Sequence, residues 1–241
     1  MKIELDTKCV ENNDLKTKLR EIRKEKEKVI REGSQIEYLD MNHIQNLKVL
    51  GEGGFGKVSS VKYKGKQMAV KTMKNNQAAL VEIAVMLKTT HSPNLLHTKH
   101  VGFDCINVPP TTIHVGMELC DSDLRSILPI SHEYTKKIGK IIVGAAKAME
   151  QVHKLDIIHR DVKPENFMIK DNSVKLGDFR LAEMSPKGYG RVGTSGYMAP
   201  EVILSEKKNE HYDSKSDVWG LGATLYELLT GDSLVKKVLY V

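Results

Sequence analysis

The sequence predicts an α+β chain in which a small β-rich lobe precedes a larger helical one, and three observations carry that expectation. From residue 43 to residue 73, short β-like runs follow one another, broken by glycines and Lys-Gly turns. Beyond Asp121, apolar residues recur at helical spacing instead. The composition, 40% hydrophobic and 28% charged over 241 residues, is that of a globular protein with enough chain to bury a core.

Taken in order, residues 1–42 form a charged segment. Good helix formers fill Asp14 to Arg31, and Leu15, Leu19, Ile22, Val29 and Ile36 follow a rough 4–3 spacing interrupted by Lys26 and Gly33. Little more than two heptads is short for a coiled coil, so the segment reads as an amphipathic helix that docks on the adjacent domain. Residues 14–36 are also the stretch that would meet a protein partner. The domain proper then runs over 43–241. Its β-rich lobe (43–120) is predicted to hold strands at Leu47–Gly51, Val58–Tyr63, Gln67–Met73 and Ile113–Leu119, with a helix over Ala78–Leu87. In the helical lobe (121–241), Ile138, Ile141, Ile142, Ala145, Met149 and Val152 mark one face of a long helix. Phe167–Ile169 and Val174–Leu176 flank a turn at Asp171-Asn172, and a last helix spans about Ser216 to Leu229 with Gly231 placed to end it.

Several function classes fall away on composition. No apolar run approaches the roughly 20 residues of a membrane span, and charges between Met1 and Lys8 stand where a secretory signal has its apolar core. A cytosolic or nuclear location is expected. Cys9, Cys105 and Cys120 are scattered without metal-ligand spacing and read as reduced thiols. The net charge of +6 raises nucleic-acid binding. Against it, residues 1–37 mix ten Lys/Arg with nine Asp/Glu, and aromatic side chains make up only 5% of the chain. No nucleic acid and no membrane are expected as partners.

The chemistry-bearing residues fall in a fixed order. Leu50-Gly51-Glu52-Gly53-Gly54-Phe55-Gly56 precedes Val58. Glycines let a strand–turn–strand close tightly over phosphates. A dinucleotide fingerprint would open a helix here, whereas Val58-Ser59-Ser60-Val61 continues as a strand. Thirteen residues after Val58, Ala69-Val70-Lys71 puts a lysine at the end of a β-run. His159-Arg160-Asp161-Val162-Lys163-Pro164-Glu165-Asn166 is far more specific. Asp161 can accept the proton of an incoming hydroxyl, Lys163 can neutralise a γ-phosphate and Asn166 can ligate Mg²⁺. Asp178-Phe179 follows a strand, as a second metal ligand should. Gly193-Thr194, Ala199-Pro200-Glu201 and Asp217-Val218-Trp219 complete the series.

From Asn46 to Gly231 this series resembles the protein kinase family. The resemblance implies a two-lobed fold that binds Mg²⁺ and ATP in its cleft. Val58, Ala69 and Met168 would enclose adenine with Leu50 as a lid, Met117 would be the gatekeeper, and Glu118 to Cys120 would form the hinge. Glu82 matches the glutamate that pairs with Lys71. The Asp161-x-Lys163-Pro-Glu-Asn loop and Gly193-Thr194 resemble the Ser/Thr-directed branch, with a protein as substrate, and Gly196 to Glu201 resembles the tyrosine-kinase-like and MAP-kinase-cascade branches. Arg160 beside Asp161 implies control by an activation-loop phosphate, with Ser185, Tyr189, Thr194 and Ser195 as candidate acceptors.

Two departures stand out. Arginine occupies position 180, where the family has glycine. Glycine's dihedrals would cost an arginine about 1–3 kcal/mol, so Arg180 is expected to impede switching of Phe179. Only about ten residues follow the helix that contains Asp217, so the helical lobe is expected to lack its last helices and to expose apolar surface. A scaffold that binds partners without transferring phosphate is the alternative reading.

Overall fold

The computed structural model describes residues 36–53, 56–89, 92–104, 111–128, 136–205 and 210–234. The helix expected over 14–31, and Gly54 and Phe55, lie outside these residues.

Short β-hairpins build the first lobe. Strands β1 (Glu37–Tyr38), β2 (Ile44–Gly53), β3 (Gly56–Tyr63), β4 (Lys66–Lys74), β5 (Thr98–Phe103) and β6 (Thr112–Met117) make one six-stranded sheet in the order β1-β5-β6-β4-β3-β2. All pairings are antiparallel except β1 with β5. Strand β4 sits inside the sheet, paired on both sides, which explains why Met68 to Lys71 are buried without alternation. Helix α1 (Gln77–Thr89) lies between β4 and β5 in the chain and buries Ala79, Glu82, Val85 and Met86. Asn76 caps it, its Oδ1 accepting from Ala79 N at 3.0 Å. The sequence reading missed β1 and β5: Thr98-Lys99-His100 is too polar to announce a strand, and pairing with β6 decides it.

In the second lobe, a small sheet joins β7 (Ser122–Asp123), β8 (Phe167–Lys170) and β9 (Ser173–Leu176). Asp171 (φ 48°) and Asn172 (φ 61°) make the tight turn between β8 and β9, in the left-handed geometry that suits a two-residue hairpin. Helix α2 (Ile138–His153) packs Ile141, Ala145, Ala148, Met149 and Val152 inward, while Ile138 and Ile142 are only half-buried. The short helix α3 (Pro200–Leu204) follows the ribbon strand β10 (Gly188–Tyr189), which pairs with β11 (His211–Tyr212). Helix α4 (Lys215–Thr230) ends at Gly231, whose φ of 77° lets its N–H reach Glu227 O.

One apolar core runs through both lobes, from Met73, Val85 and Ile113 through Leu95 and Leu176 to Val152, Phe167 and Phe179. Full burial of a side chain such as Phe167 contributes about 1.5–3 kcal/mol. Helices α3 and α4 expose some apolar groups: Leu204 is 72% and Leu229 63% accessible. Among the described residues, no helix is long and apolar enough to cross a membrane.

Candidate functional site

A cleft of about 530 Å³ opens between the lobes. Its roof is the β2–β3 hairpin, with Leu50, Gly51, Glu52, Gly53, Gly56 and Val58. Gly56 is required there, because at φ 134° a Cβ would fall on the Thr72 carbonyl oxygen. Ala69, Met117 and Met168 give the walls apolar character, joined by Met86 and Leu96, which the sequence had not assigned to the cleft. At the back, Glu118 Oε1 accepts from Lys175 Nζ at 3.0 Å and from His97 N at 2.9 Å. Glu118 N donates to His97 O, and Lys170 Nζ donates to Leu119 O at 2.6 Å. Burial and neighbouring Glu118 push the Cys120 thiol up to about 11, so it stays protonated at neutral pH.

Lys71 reaches across from β4 to α1. Its Nζ lies 2.6 Å from Glu82 Oε1 and 3.0 Å from Asp178 Oδ1. Burial alone would lower its pKa, yet the two carboxylates raise it above its ordinary value and keep it charged. Glu82 is completely buried, and burial pushes its carboxyl up against the opposing pull of Lys71.

The loop from His159 to Asn166 hangs on one buried carboxylate. Asp217, from the first turn of α4, accepts from His159 N at 2.7 Å, Arg160 N at 2.8 Å and His153 Nε2 at 2.9 Å. These bonds support Arg160 at φ 65°, a conformation that non-glycine residues rarely adopt. Asp161 is buried, and partners cover its carboxylate. Thr194 Oγ1 donates to Oδ1 at 2.6 Å, and Oδ2 lies 3.0 Å from Lys163 Nζ and 3.3 Å from Asn166 Nδ2. Burial would raise its pKa, but hydrogen bonds from Thr194 and Lys163 outweigh it and hold Asp161 below the usual carboxylate value. Asn166 Nδ2 also donates to Asp161 O at 2.6 Å, which leaves Asn166 Oδ1 as the amide atom for a cation.

Asp178, Lys163 and Asn166 line the cleft, and Phe179 is fully buried with its ring edge-on to His159 at 5.1 Å. Arg180 departs from expectation. The left-handed conformation falls on Asp178 (φ 59°), while Arg180 keeps a negative φ, so the dihedral cost anticipated for an arginine here does not arise. Its guanidinium instead enters the cleft, with Nη1 3.3 Å from Asp178 Oδ2 and Nη2 3.6 Å from Asp161 Oδ2. Arg160 is held by Glu183 at 3.3 Å and donates to Leu181 O at 2.5 Å.

Sequence reasoning also missed a network beside the loop. Arg125 pairs with Glu165 at 2.8 Å and Glu227 at 2.6 Å, and Tyr197 bridges Arg125 and Glu227. The one available signal was Glu227 itself, a charge inside the apolar run Leu225 to Leu229, which had to find a partner if buried.

Fold and site together define a two-lobed α+β protein whose interlobe cleft combines a glycine-rich roof with buried lysine–carboxylate pairs. A family model described as "Protein kinase domain" matches residues 44–238, and the chain belongs to the protein kinase family. It is similar to the dual specificity mitogen-activated protein kinase kinase jkk-1 of Caenorhabditis elegans, at 32% identity over 205 residues, covering 80% of this chain and 47% of that protein. Calcium-dependent protein kinase 12 of Arabidopsis thaliana is 32% identical over 203 residues, covering 76% of this chain and 39% of the relative. MAP kinase kinase mkk-4 of C. elegans is 32% identical over 212 residues, covering 78% and 55%. The chain thus spans about half the length of these relatives or less.

Proposed function

We propose that the chain transfers the γ-phosphoryl group of Mg-ATP to Ser or Thr hydroxyls of protein substrates. One observation carries the reading: Lys71, Glu82, Lys163, Asn166 and Asp178, from both lobes, converge on a single cleft beside Asp161.

The cleft suits the two groups this requires. Its volume falls in the roughly 300–1,000 Å³ range of small-molecule sites. Leu50, Val58, Ala69, Met117 and Met168 supply apolar faces for a base, and the Glu118–Cys120 backbone supplies its polar edge. Mg²⁺ favours hard oxygens and is commonly held by one or two protein groups plus phosphate oxygens, which Asp178 and Asn166 fit. When bound, the ion would neutralise charge on the phosphates.

In the transfer step, the substrate hydroxyl oxygen forms a bond to the γ-phosphorus. The phosphoanhydride bond breaks and ADP leaves with the electron pair. Asp161, ionised at neutral pH, orients the hydroxyl by the oxygen that Thr194 now occupies and takes its proton. Lys71 and Lys163 hold phosphate oxygens from either side. The 2.7 Å bond from Lys163 Nζ to Thr194 Oγ1 supports the Ser/Thr assignment by tying the lysine to the acceptor-side threonine.

Single-turnover transfer of labelled γ-phosphate to a mixed protein substrate, with phosphoamino-acid analysis, tests the reading. Phosphoserine or phosphothreonine is expected, with a loss of about 10²-fold or more in Asp161→Asn. Folded protein that transfers nothing would favour the scaffold alternative, to which the exposed Leu204, Trp219 and Leu229 lend support.

A further inference from the structure

Arg180 places a cation between two carboxylates of the site. Its guanidinium spans Asp178 Oδ2, at 3.3 Å, and Asp161 Oδ2, at 3.6 Å, and its side chain is 21% exposed to the cleft. The other Asp178 oxygen lies 3.0 Å from Lys71 Nζ. Both oxygens of the proposed metal ligand are therefore met by cations of the protein itself.

Charge balance at the site follows from these contacts. Glu82, Asp161 and Asp178 set three negative charges against three positive ones on Lys71, Lys163 and Arg180. The balance is local to that group: Glu52, Glu118, Asp121, Asp123 and Glu165 also line the cleft, where Lys57 pairs with Glu52, Lys175 with Glu118, and Arg125 is shared between Glu165 and Glu227. A glycine at position 180 would leave one negative charge in surplus, and that surplus is what draws in a divalent ion. Here it is cancelled. A divalent ion on Asp178 would lie within a few ångströms of the guanidinium, a repulsion that a partly buried site screens weakly. The ion therefore binds only after Arg180 leaves, and a guanidinium with a fork of N–H donors matches phosphate oxygens well.

We propose, resting on the kinase reading above, that Arg180 is a tethered cation that competes with divalent metal for Asp178, so the cleft takes metal weakly on its own and holds ATP without it. Arg180 acts here as a positioning residue for Asp178 and as a phosphate contact.

The test uses the full chain as wild type, Arg180→Gln and Arg180→Lys, with Arg180→Gly in reserve should the glutamine variant fail to fold by circular dichroism. Mn²⁺ alone is titrated by electron paramagnetic resonance. ATP is titrated by calorimetry, once in EDTA and once in excess Mg²⁺. Arg180→Gln is expected to bind Mn²⁺ on the order of tenfold tighter than wild type, the change expected from removing about one charge contact. It should weaken ATP binding in EDTA by a similar factor, while Arg180→Lys, which keeps the charge but not the fork of donors, should fall between the two on both readouts. Equal Mn²⁺ affinity in wild type and Arg180→Gln, with ATP binding intact, would overturn the competition. Absence of ATP binding under both conditions would overturn the kinase reading itself.

Discussion

Asp178 lines the interlobe cleft and Asp161 stands beside it, and the protein fixes the two regions by different means. The loop that carries Asp161 is fastened through its backbone, with the amides of His159 and Arg160 donating to buried Asp217. Asp178 is fastened through its side chain, by Lys71 and Arg180. Amides anchored on a buried carboxylate keep their geometry whatever fills the cleft, because breaking them strands polar groups away from water. Ion pairs at a half-open site can be exchanged for the charges of a ligand. The comparison suggests one half of the site built to stay and one half built to trade partners.

Replacing the anchor should have the largest effect. Asp217→Ala strands two backbone amides and is expected to cost about 3 kcal/mol of stability, read from chemical denaturation. A loss below about 1 kcal/mol would break the contrast. Lys71→Met comes next. It leaves Glu82 buried without its cation, so Glu82 should take up a proton, and about 2–3 kcal/mol should be lost near neutral pH. A variant as stable as wild type at pH 7 would show that the pair adds nothing. Asp178→Asn should cost less than about 1 kcal/mol, because Lys71 keeps Glu82 and asparagine tolerates the φ of 59° better than most residues.

The smallest effect is on pH dependence. Asp161 is held below its ordinary value of 3.8, so it stays ionised as pH falls through that value. The stability contributed by its ionised form is complete above 3.8 and is lost only as pH drops through the lower folded-state value. Thr194→Val removes one of the lowering hydrogen bonds, so the Asp161 pKa should rise. Any acid limb of the transfer rate that belongs to Asp161 should then move to higher pH. A limb that stays in place would remove Thr194 from the account.

Much of this was legible in the chain because the signals were local. The β8–β9 hairpin announces itself through Asp171-Asn172 between apolar runs, and the end of α4 through Gly231. Lys71, Asp161, Lys163, Asn166 and Asp178 stand in motifs whose spacing is set within a few residues of each loop. Strand β5 was not legible, since its pairing with β6 rather than its own residues makes it a strand. Nor was the Arg125–Glu227 pair, which joins positions 102 residues apart.

Arg180 marks the boundary between the two kinds of information. The sequence by itself determined that an arginine stands two residues after Asp178, where the resemblance to the family implies a glycine, and its motifs led to the expectation that Asp178 works with Lys71 and Asn166. Only the tertiary structure decided what the arginine does. A backbone argument predicted strain at Arg180, but strain depends on φ, and the left-handed φ fell to Asp178. Where a long charged side chain points depends on which opposite charges folding brings within its reach. Here those charges came from two different loops.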